Sequence, residues 1–294
     1  MTSPSTVLPP AAVLRYAAFA TDPAGGNPAG VVLDATGLSA GQMLAVAAEV
    51  GYSETAFLTP VAADTAPAEG VYTVRYYSPL MEVPFCGHAT VAAAVAVAEQ
   101  HGPGQYVFST AVGEVPIEVG RDEDGALRAT LTSVPPHTEE ATAADVAQAL
   151  ALLGWAAEDL DPALPPRFAY AGSRHLVLAA ATRARLADLA YDFDGLAAFM
   201  TERNLITLQL VWREDAHTFH VRDPFPVGGV VEDPATGAAA AALGAYLREL
   251  GAVAPPAVLT LHQGVDLGRP GVLLVELREG DPRVRVSGAA VAIP

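Results

Sequence analysis

The chain has one cysteine, Cys86, in 294 residues, few basic residues, and no apolar run long enough to cross a bilayer. A single thiol excludes an intramolecular disulfide and a two-thiol racemase within one chain, and no Cys/His cluster has zinc-ligand spacing. Sixteen Lys and Arg stand against 33 Asp and Glu, a formal charge of −17. With no basic block to neutralise phosphates, nucleic acid and anionic membrane surfaces are excluded as partners. The longest apolar runs, Val91 to Ala98 and Ala238 to Leu243, fall well short of the roughly 18 to 20 residues a span needs. Met1 to Pro10 contains Pro9-Pro10 and no basic residue precedes Arg15. It therefore lacks the charged and apolar regions of a secretory signal, and a cytoplasmic location is expected. Coiled coils, low-complexity tails and Gly-rich phosphate loops are also absent.

What is present is 51% apolar content in a length typical of two domains, ample for two cores. Two segments, Ser78 to Ala94 and Asp223 to Ala240, follow one plan. Each runs from a strand through an X-Pro turn (Ser78-Pro79, Asp223-Pro224) and a carboxylate-bearing loop to a polar residue opening an Ala-rich helix. Pro79 to Pro224 and His88 to Asp233 are both 145 positions apart, which points to a duplicated fold presenting two helix N-termini. Free N–H groups there favour anions or developing oxyanions. Facing each other, they would form one site between two halves.

Alternation and β-branched content place strands at Val13–Phe19, Thr55–Leu58, Val71–Tyr77, Tyr106–Ser109, Val115–Val119 and Leu127–Leu131. In the second half they fall at Phe168–Tyr170, Leu176–Ala179, Ile206–Trp212, Thr218–Arg222, Val258–His262, Val272–Leu277 and Arg283–Val286. Helices are expected at Ser39–Val50, capped by Ser39 and closed by Gly51, at His88–Gln100, apolar all round and so buried, and at Thr236–Leu250. Peripheral helices fit Ala141–Leu153, Thr182–Leu189 and Gly195–Arg203. The crossing between halves is expected at Gly120 to Gly125 or at Pro135-Pro136.

Gly26-Asn27-Pro28, Ser53-Glu54-Thr55, Cys86-Gly87-His88-Ala89-Thr90, Glu232-Asp233-Pro234-Ala235-Thr236-Gly237 and Gly268-Arg269-Pro270-Gly271 occur in the order seen in the PhzF-like phenazine-biosynthesis family. The chain resembles that family from about Tyr16 to Val291. The resemblance implies an α+β, diaminopimelate-epimerase-like fold: two pseudo-symmetric domains, each a β-barrel-like sheet around a central helix, with the active site between them. The domains would be residues 1–127, completed by 287–294, and 128–286. It also implies a cofactor-independent isomerase, commonly a homodimer, acting on a small carboxylic acid. The family archetype isomerises trans-2,3-dihydro-3-hydroxyanthranilate by moving a proton between ring carbons.

Glu54, beside apolar Ala56-Phe57, is either a partly desolvated proton shuttle or a solvated charge at a helix–strand junction; the resemblance assigns it proton transfer. His88 reads as a substrate ligand or as a capping histidine, and Asp233 as its mirror image at the second helix or as a plain N-cap. In the resembling enzymes both line the substrate site. Gly87 and Gly237 would allow close approach of a ligand, with Thr236 beside it. Asn27 either binds substrate or belongs to a turn. Arg269 either recognises a carboxylate or forms a surface ion pair. The chain departs from the family at Ala238, where Ser is usual, removing a hydroxyl from the expected substrate site. Cys86 stands where epimerases of the wider superfamily carry their first catalytic thiol, though a small buried residue beside the helix entry explains it as well. His175, His217, His220 and His262 lack helical metal-ligand spacing, and Ser173 lies in no nucleophile elbow, so a metal site and a hydrolase are disfavoured. The other functions left open are an amino-acid racemase or epimerase, and a catalytically idle small-molecule-binding scaffold.

Overall fold

The computed structural model describes residues 12–62 and 67–294; the Met1 to Pro10 segment lies outside them. In chain order the elements are β1 (Leu14–Ala18), β2 (Asn27–Val32), α1 (Ala40–Val50), β3 (Glu54–Ala62), β4 (Pro67–Tyr77), β5 (Glu82–Val83), α2 (Gly87–His101), β6 (Gly104–Thr110), β7 (Gly113–Arg121), β8 (Leu127–Thr132) and β9 (His137–Glu140). They continue with α3 (Ala143–Leu153), β10 (Arg167–Tyr170), β11 (Arg174–Ala179), α4 (Arg183–Ala187), α5 (Phe193–Glu202), β12 (Thr207–Arg213), β13 (Thr218–Pro224), β14 (Glu232–Asp233), α6 (Gly237–Glu249), β15 (Ala257–Gln263), β16 (Gly271–Leu277) and β17 (Val284–Ala292).

Eight strands close a barrel in the order β1-β2-β3-β4-β6-β7-β8-β17 and back to β1, with β2–β3 and β4–β6 parallel. Its interior is filled by α2, whose Ala/Val surface is buried from His88 to Ala98. A helix without a polar face has no stable place except inside such a sheet. The second half repeats the order as β10-β11-β12-β13-β15-β16-β17, again with two parallel pairings, β11–β12 and β13–β15. Helix α6 is buried there from Ala239 to Leu247. Two pseudo-symmetric halves around central helices are thus what the chain forms.

The halves exchange strands. Residues 128–132 of β8 pair with 285–289 of β17, which then runs on to pair β1 through 290–292. The chain after β8 enters the other half as β9, which pairs β10. Of the two expected crossing points, Gly120 to Gly125 is instead the turn of the β7–β8 hairpin. There the Asp122 Oδ1 accepts from the Asp124 and Ala126 N–H groups. The passage between halves is made at residues 133–136.

Strand β2 is not among the expected strands, the turn reading there being Gly25-Gly26-Asn27-Pro28. Close packing explains it: a Cβ at Gly30 would lie 2.5 Å from the Thr55 hydroxyl of the neighbouring strand, so glycine is needed for β2 to approach β3. The turn itself precedes it, with Gly26 at φ 56°. Helix α1 begins and ends as expected, with a reciprocal Ser39–Gln42 capping box and Gly51 in the left-handed region.

The internal repeat also has a different register. Arg75 binds Glu82 across β4–β5, and Arg222 binds Glu232 across β13–β14. Helices α2 and α6 then begin at Gly87 and Gly237. The offset is therefore 222 − 75 = 147 at the arginines and 237 − 87 = 150 at the helices, the second loop carrying three extra residues. Cys86 corresponds to Thr236, and His88 to Ala238. The expected mirror relation of His88 and Asp233 is corrected: Asp233 sits on β14, where its counterpart is Val83.

Candidate active site

Parallel pairing of β2 and β3 sets Glu54, the first residue of β3, opposite Ala29, while the preceding Ser53 reaches the mouth of α2. There Cys86 is the N-cap and His88 lies in the first turn. The Glu54 Oε2 is 3.4 Å from the His88 Nε2 and accepts from the Cys86 thiol at 3.5 Å. The thiol is 3.4 Å from the His88 Nδ1, and the Ser53 hydroxyl is 3.3 Å from the Nε2. His88 is 7% exposed and Glu54 19%, so the carboxylate keeps one accessible edge while two neighbours hold the other. Burial, reinforced by the charge of Glu54, pushes the Cys86 thiol well above its ordinary range. Cys86 is therefore a protonated donor to Glu54, not a thiolate.

Across the seam, Asp233 is fixed by three residues. Its Oδ1 accepts from the Asn27 Nδ2 at 2.8 Å, and its Oδ2 from the Thr236 hydroxyl at 2.6 Å. Asn27 also donates to the Ala235 carbonyl, tying the β2 half to the entry of α6. The Gln263 Nε2 donates to the Asp233 carbonyl at 2.9 Å, and the Gln263 Oε1 accepts from the Thr236 N–H at 3.0 Å. Burial raises the Asp233 carboxyl above its ordinary value; the nearby His88 opposes this and the Glu54 charge adds to it. The charges of His88 and Glu54 thus act on Asp233 from the neighbouring cluster. All four other helices have a side-chain N-cap bond, from Ser39, Thr142, Thr182 or Asp192. Among the described residues only α2 and α6, opening at this seam, have none, so first-turn N–H groups remain for a ligand.

Of the residues expected from sequence, Asn27, Glu54, His88, Asp233 and Thr236 come together. A Cβ on Gly87 would meet nothing within 4 Å, and one on Gly237 only the Phe19 ring at 3.5 Å, so open space lies before both helix entries. Arg269 does something else. Its Nε and Nη2 donate to the Gly26 and Gly25 carbonyls at 2.8 and 2.6 Å. It thereby braces the turn that delivers Asn27, with two of its donors spent on backbone. Ala238, on the first turn of α6, leaves the place equivalent to His88 without a polar group. Ser173 and His175 are bonded to each other. The His175 ring is fully buried, bonded to the Ser173 and Thr207 hydroxyls at 2.9 and 2.8 Å, and burial pushes it down to about 3, so it is a neutral core residue.

Sequence reasoning missed Gln263 and Asp223. Both sit on inward-facing strand positions, after Leu259 and Leu261 on β15 and after Phe219 and Val221 on β13. A polar residue in an apolar register was the available signal. Asp223 is fully buried and stands opposite Asp233 in the β13–β14 pairing. Its Oδ2 accepts from the Gln263 Nε2 at 3.2 Å, and its Oδ1 has no partner. Burial raises its carboxyl well above the ordinary 3.8, with the charges of Asp233 and Glu232 adding. Above that ordinary value the folded state binds more protons than the unfolded chain, so stability falls as pH rises toward the folded value. Asp223→Asn removes this loss. Its thermal midpoint is expected to gain on wild type progressively above about pH 4; parallel curves would show that Asp223 is charged when folded.

The profile of the phenazine biosynthesis-like protein family matches residues 16–294. The trans-2,3-dihydro-3-hydroxyanthranilate isomerase of Pseudomonas chlororaphis is 32% identical over 281 residues, covering 93% of this chain and 94% of the relative. Among solved structures, a phenazine biosynthesis protein of the PhzF family from Bacillus anthracis has a TM-score of 0.85 at 24% identity, over 96% of both chains. A hydroxyproline epimerase from Agrobacterium vitis has a TM-score of 0.62 at 12% identity, covering 95% of this chain and 90% of the other. These two likenesses speak for the fold, the α+β epimerase-like one that the motifs implied.

Proposed function

The chain belongs to the phenazine biosynthesis-like protein family and is an enzyme of the isomerase class, and we propose that it moves a proton on a small cyclic or amino-acid-like carboxylic acid, without a cofactor, through Glu54. The observation that carries this reading is the Glu54 carboxylate, held at 3.4 Å from His88 and 3.5 Å from Cys86 with one edge open between two uncapped helix N-termini. The chain contains no lysine, so a carboxylate is the natural proton carrier near neutral pH. The substrate carboxylate, and negative charge developing on proton abstraction, are stabilised by the first-turn N–H groups of α2 and α6. Glu54 takes the proton from one carbon and returns it to another. His88 and Cys86 orient it, while Asp233, locked by Asn27 and Thr236, holds the polar end of the substrate. The likeness to the Pseudomonas chlororaphis isomerase makes trans-2,3-dihydro-3-hydroxyanthranilate the first substrate to assay in deuterium oxide. Consumption with one deuterium incorporated per turnover supports the reading; no exchange on this or related cyclic acids removes it.

The protonated Cys86 thiol, with the Asp233 carboxylate as the other nearby acid–base group, favours one alternative, epimerisation of an amino acid held between the two. Loss of activity on alkylating Cys86, with deuterium entering at a stereocentre, would select that reading. A cytoplasmic homodimer belongs to the same proposal, the compartment from a single free buried thiol and the dimer from the family resemblance. Light scattering of the purified chain tests the dimer.

A further inference from the structure

A pair of carboxyl groups sets the second half of the fold apart from the first. Beside the arginine of each half, the cross-strand pair is Tyr76 and Val83 in β4–β5 but Asp223 and Asp233 in β13–β14. Tyr76 is neutral and satisfied, its hydroxyl 2.6 Å from that of Thr90. Two carboxyl groups facing each other across a strand pair, one of them fully buried, do not both ionise, so one of the two holds a proton. The donors around them decide which. Asp233 receives one good donor on each oxygen, the Asn27 amide at 2.8 Å and the Thr236 hydroxyl at 2.6 Å. Asp223 receives the Gln263 Nε2 at 3.2 Å on its Oδ2, and its Oδ1 has no partner among the described residues. No cation offsets a charge there: Arg222 leaves the opposite face of β13 for Glu232 and the Ala187 carbonyl. His175, on the inward side of β11, is neutral, and residues 237–243 of α6 contain no ionisable side chain. Glu54 and His88 act on Asp233 from the other cluster. One step beyond the Leu210–Arg222 pairing of β12 and β13, Gln209 is buried on the inward side that Val211 shares, and both of its amide atoms are unpartnered. Its carbonyl is an acceptor that a protonated Asp223 Oδ1 can use and a carboxylate cannot.

We propose that Asp223 is a neutral carboxylic acid in the folded protein and a positioning residue for Asp233. Its Oδ2 holds the Gln263 amide, which donates to the Asp233 carbonyl at 2.9 Å and to the Thr236 hydroxyl at 3.0 Å while its oxygen takes the Thr236 N–H. Gln263 thereby fixes both the residue that presents Asp233 and the entry of α6. The proton on Asp223 keeps a second negative charge away from Asp233, so that Asp233 carries its own charge at the seam. Burial raises both carboxyls, and that of Asp223 more strongly, in keeping with the proton residing there. The effect on substrate rests on the proposed function, in which Asp233 holds the polar end of the substrate; the protonation of Asp223 does not.

Infrared spectra of the wild-type chain at neutral pH test the protonation directly. They should contain the carbonyl band of a protonated carboxyl group, apart from the carboxylate and amide bands and moved to lower frequency in deuterium oxide. Asp223→Asn should abolish that band and Asp233→Asn should leave it. A spectrum without the band, or a band that persists in Asp223→Asn and vanishes in Asp233→Asn, would overturn the assignment. The positioning role is read from KM. Asp223→Asn keeps a neutral donor and an acceptor for Gln263, so its KM should stay within a few-fold of wild type. Asp223→Leu gives Gln263 nothing to bond and should raise KM by about 100-fold, the cost of a misplacement of about 1 Å, with kcat less affected. An equal rise in both variants would show that Asp223 acts through a charge and overturn the neutral role. The infrared readouts need no turnover, so a missing isomerase activity counts against the proposed function and not against the protonated Asp223.

Discussion

Glu54→Gln is expected to lower kcat by about 10²- to 10⁴-fold, the range that a positioned acid–base group contributes, with the thermal midpoint changed by no more than a few degrees. The substitution keeps the shape of the side chain and the oxygen that accepts from Cys86, and it removes only the capacity to take a proton. The Glu54 environment makes the separation clean. It sits at a strand start with one edge exposed, in contact with His88 and Cys86 and, among the described residues, in no ion pair with an arginine. A structural carboxylate would show the reverse pattern, a lower midpoint with rates per folded molecule preserved. Deuterium incorporation from solvent should fall in step with turnover, because the same group performs both. His88→Ala is a useful companion: it should raise KM as well as lower kcat if the ring holds Glu54 and borders the substrate. A fully active Glu54→Gln enzyme would move the proton-transfer role to Asp233 or Cys86.

The sequence was most informative where one residue type has one physical use. Ser39 and Gly51 bracket α1 because a hydroxyl acceptor and a left-handed glycine have few other roles at such spacing. The Ala/Val surface of α2 required burial inside a sheet. Of the residues the five motifs singled out, Glu54 and His88 meet in one cluster and Asn27, Asp233 and Thr236 in another. Legibility failed where tertiary packing overrides propensity. Strand β2 hides in an Asn-Pro-Ala-Gly sequence because Gly30 must clear Thr55. Arg269 resembles a carboxylate receptor in one dimension, and only the path of the chain shows that it closes on the Gly25 and Gly26 carbonyls. The repeat was visible, but its register was not, since prolines in the two loops align at a spacing that the Arg–Glu pairs and helix starts do not share. The convergence of Cys86, His88 and Glu54 was hidden for a related reason: Glu54 arrives from another strand, 32 positions away.

The largest stability effect should fall on one copy of the repeated Arg–Glu pair. Arg222 and Glu232 are 9% and 3% exposed and bonded through both carboxylate oxygens, whereas Arg75 and Glu82 make the same contact at 37% and 41% exposure. Removing one partner of a buried pair leaves an uncompensated charge, which costs about 3 to 5 kcal/mol. An exposed pair contributes about 1 kcal/mol or less. Glu232→Ala is therefore expected to shift the urea midpoint strongly while Glu82→Ala barely moves it, at an unchanged m-value. The same geometry in two solvent environments makes the protein its own control for desolvation. Glu232 also precedes Asp233 on β14 and faces Pro224 across β13, beside the Asp223–Asp233 pairing, so loss of the buried pair should loosen the strand that aims Asp233 at the site. Folded Glu232→Ala protein should accordingly bind substrate more weakly, and Glu82→Ala should not. Joint replacement of Arg222 and Glu232 by Met and Leu removes both charges together and should recover most of the stability. If the joint variant is stable but still binds weakly, the charges orient β14; if binding returns as well, packing alone holds Asp233 in place.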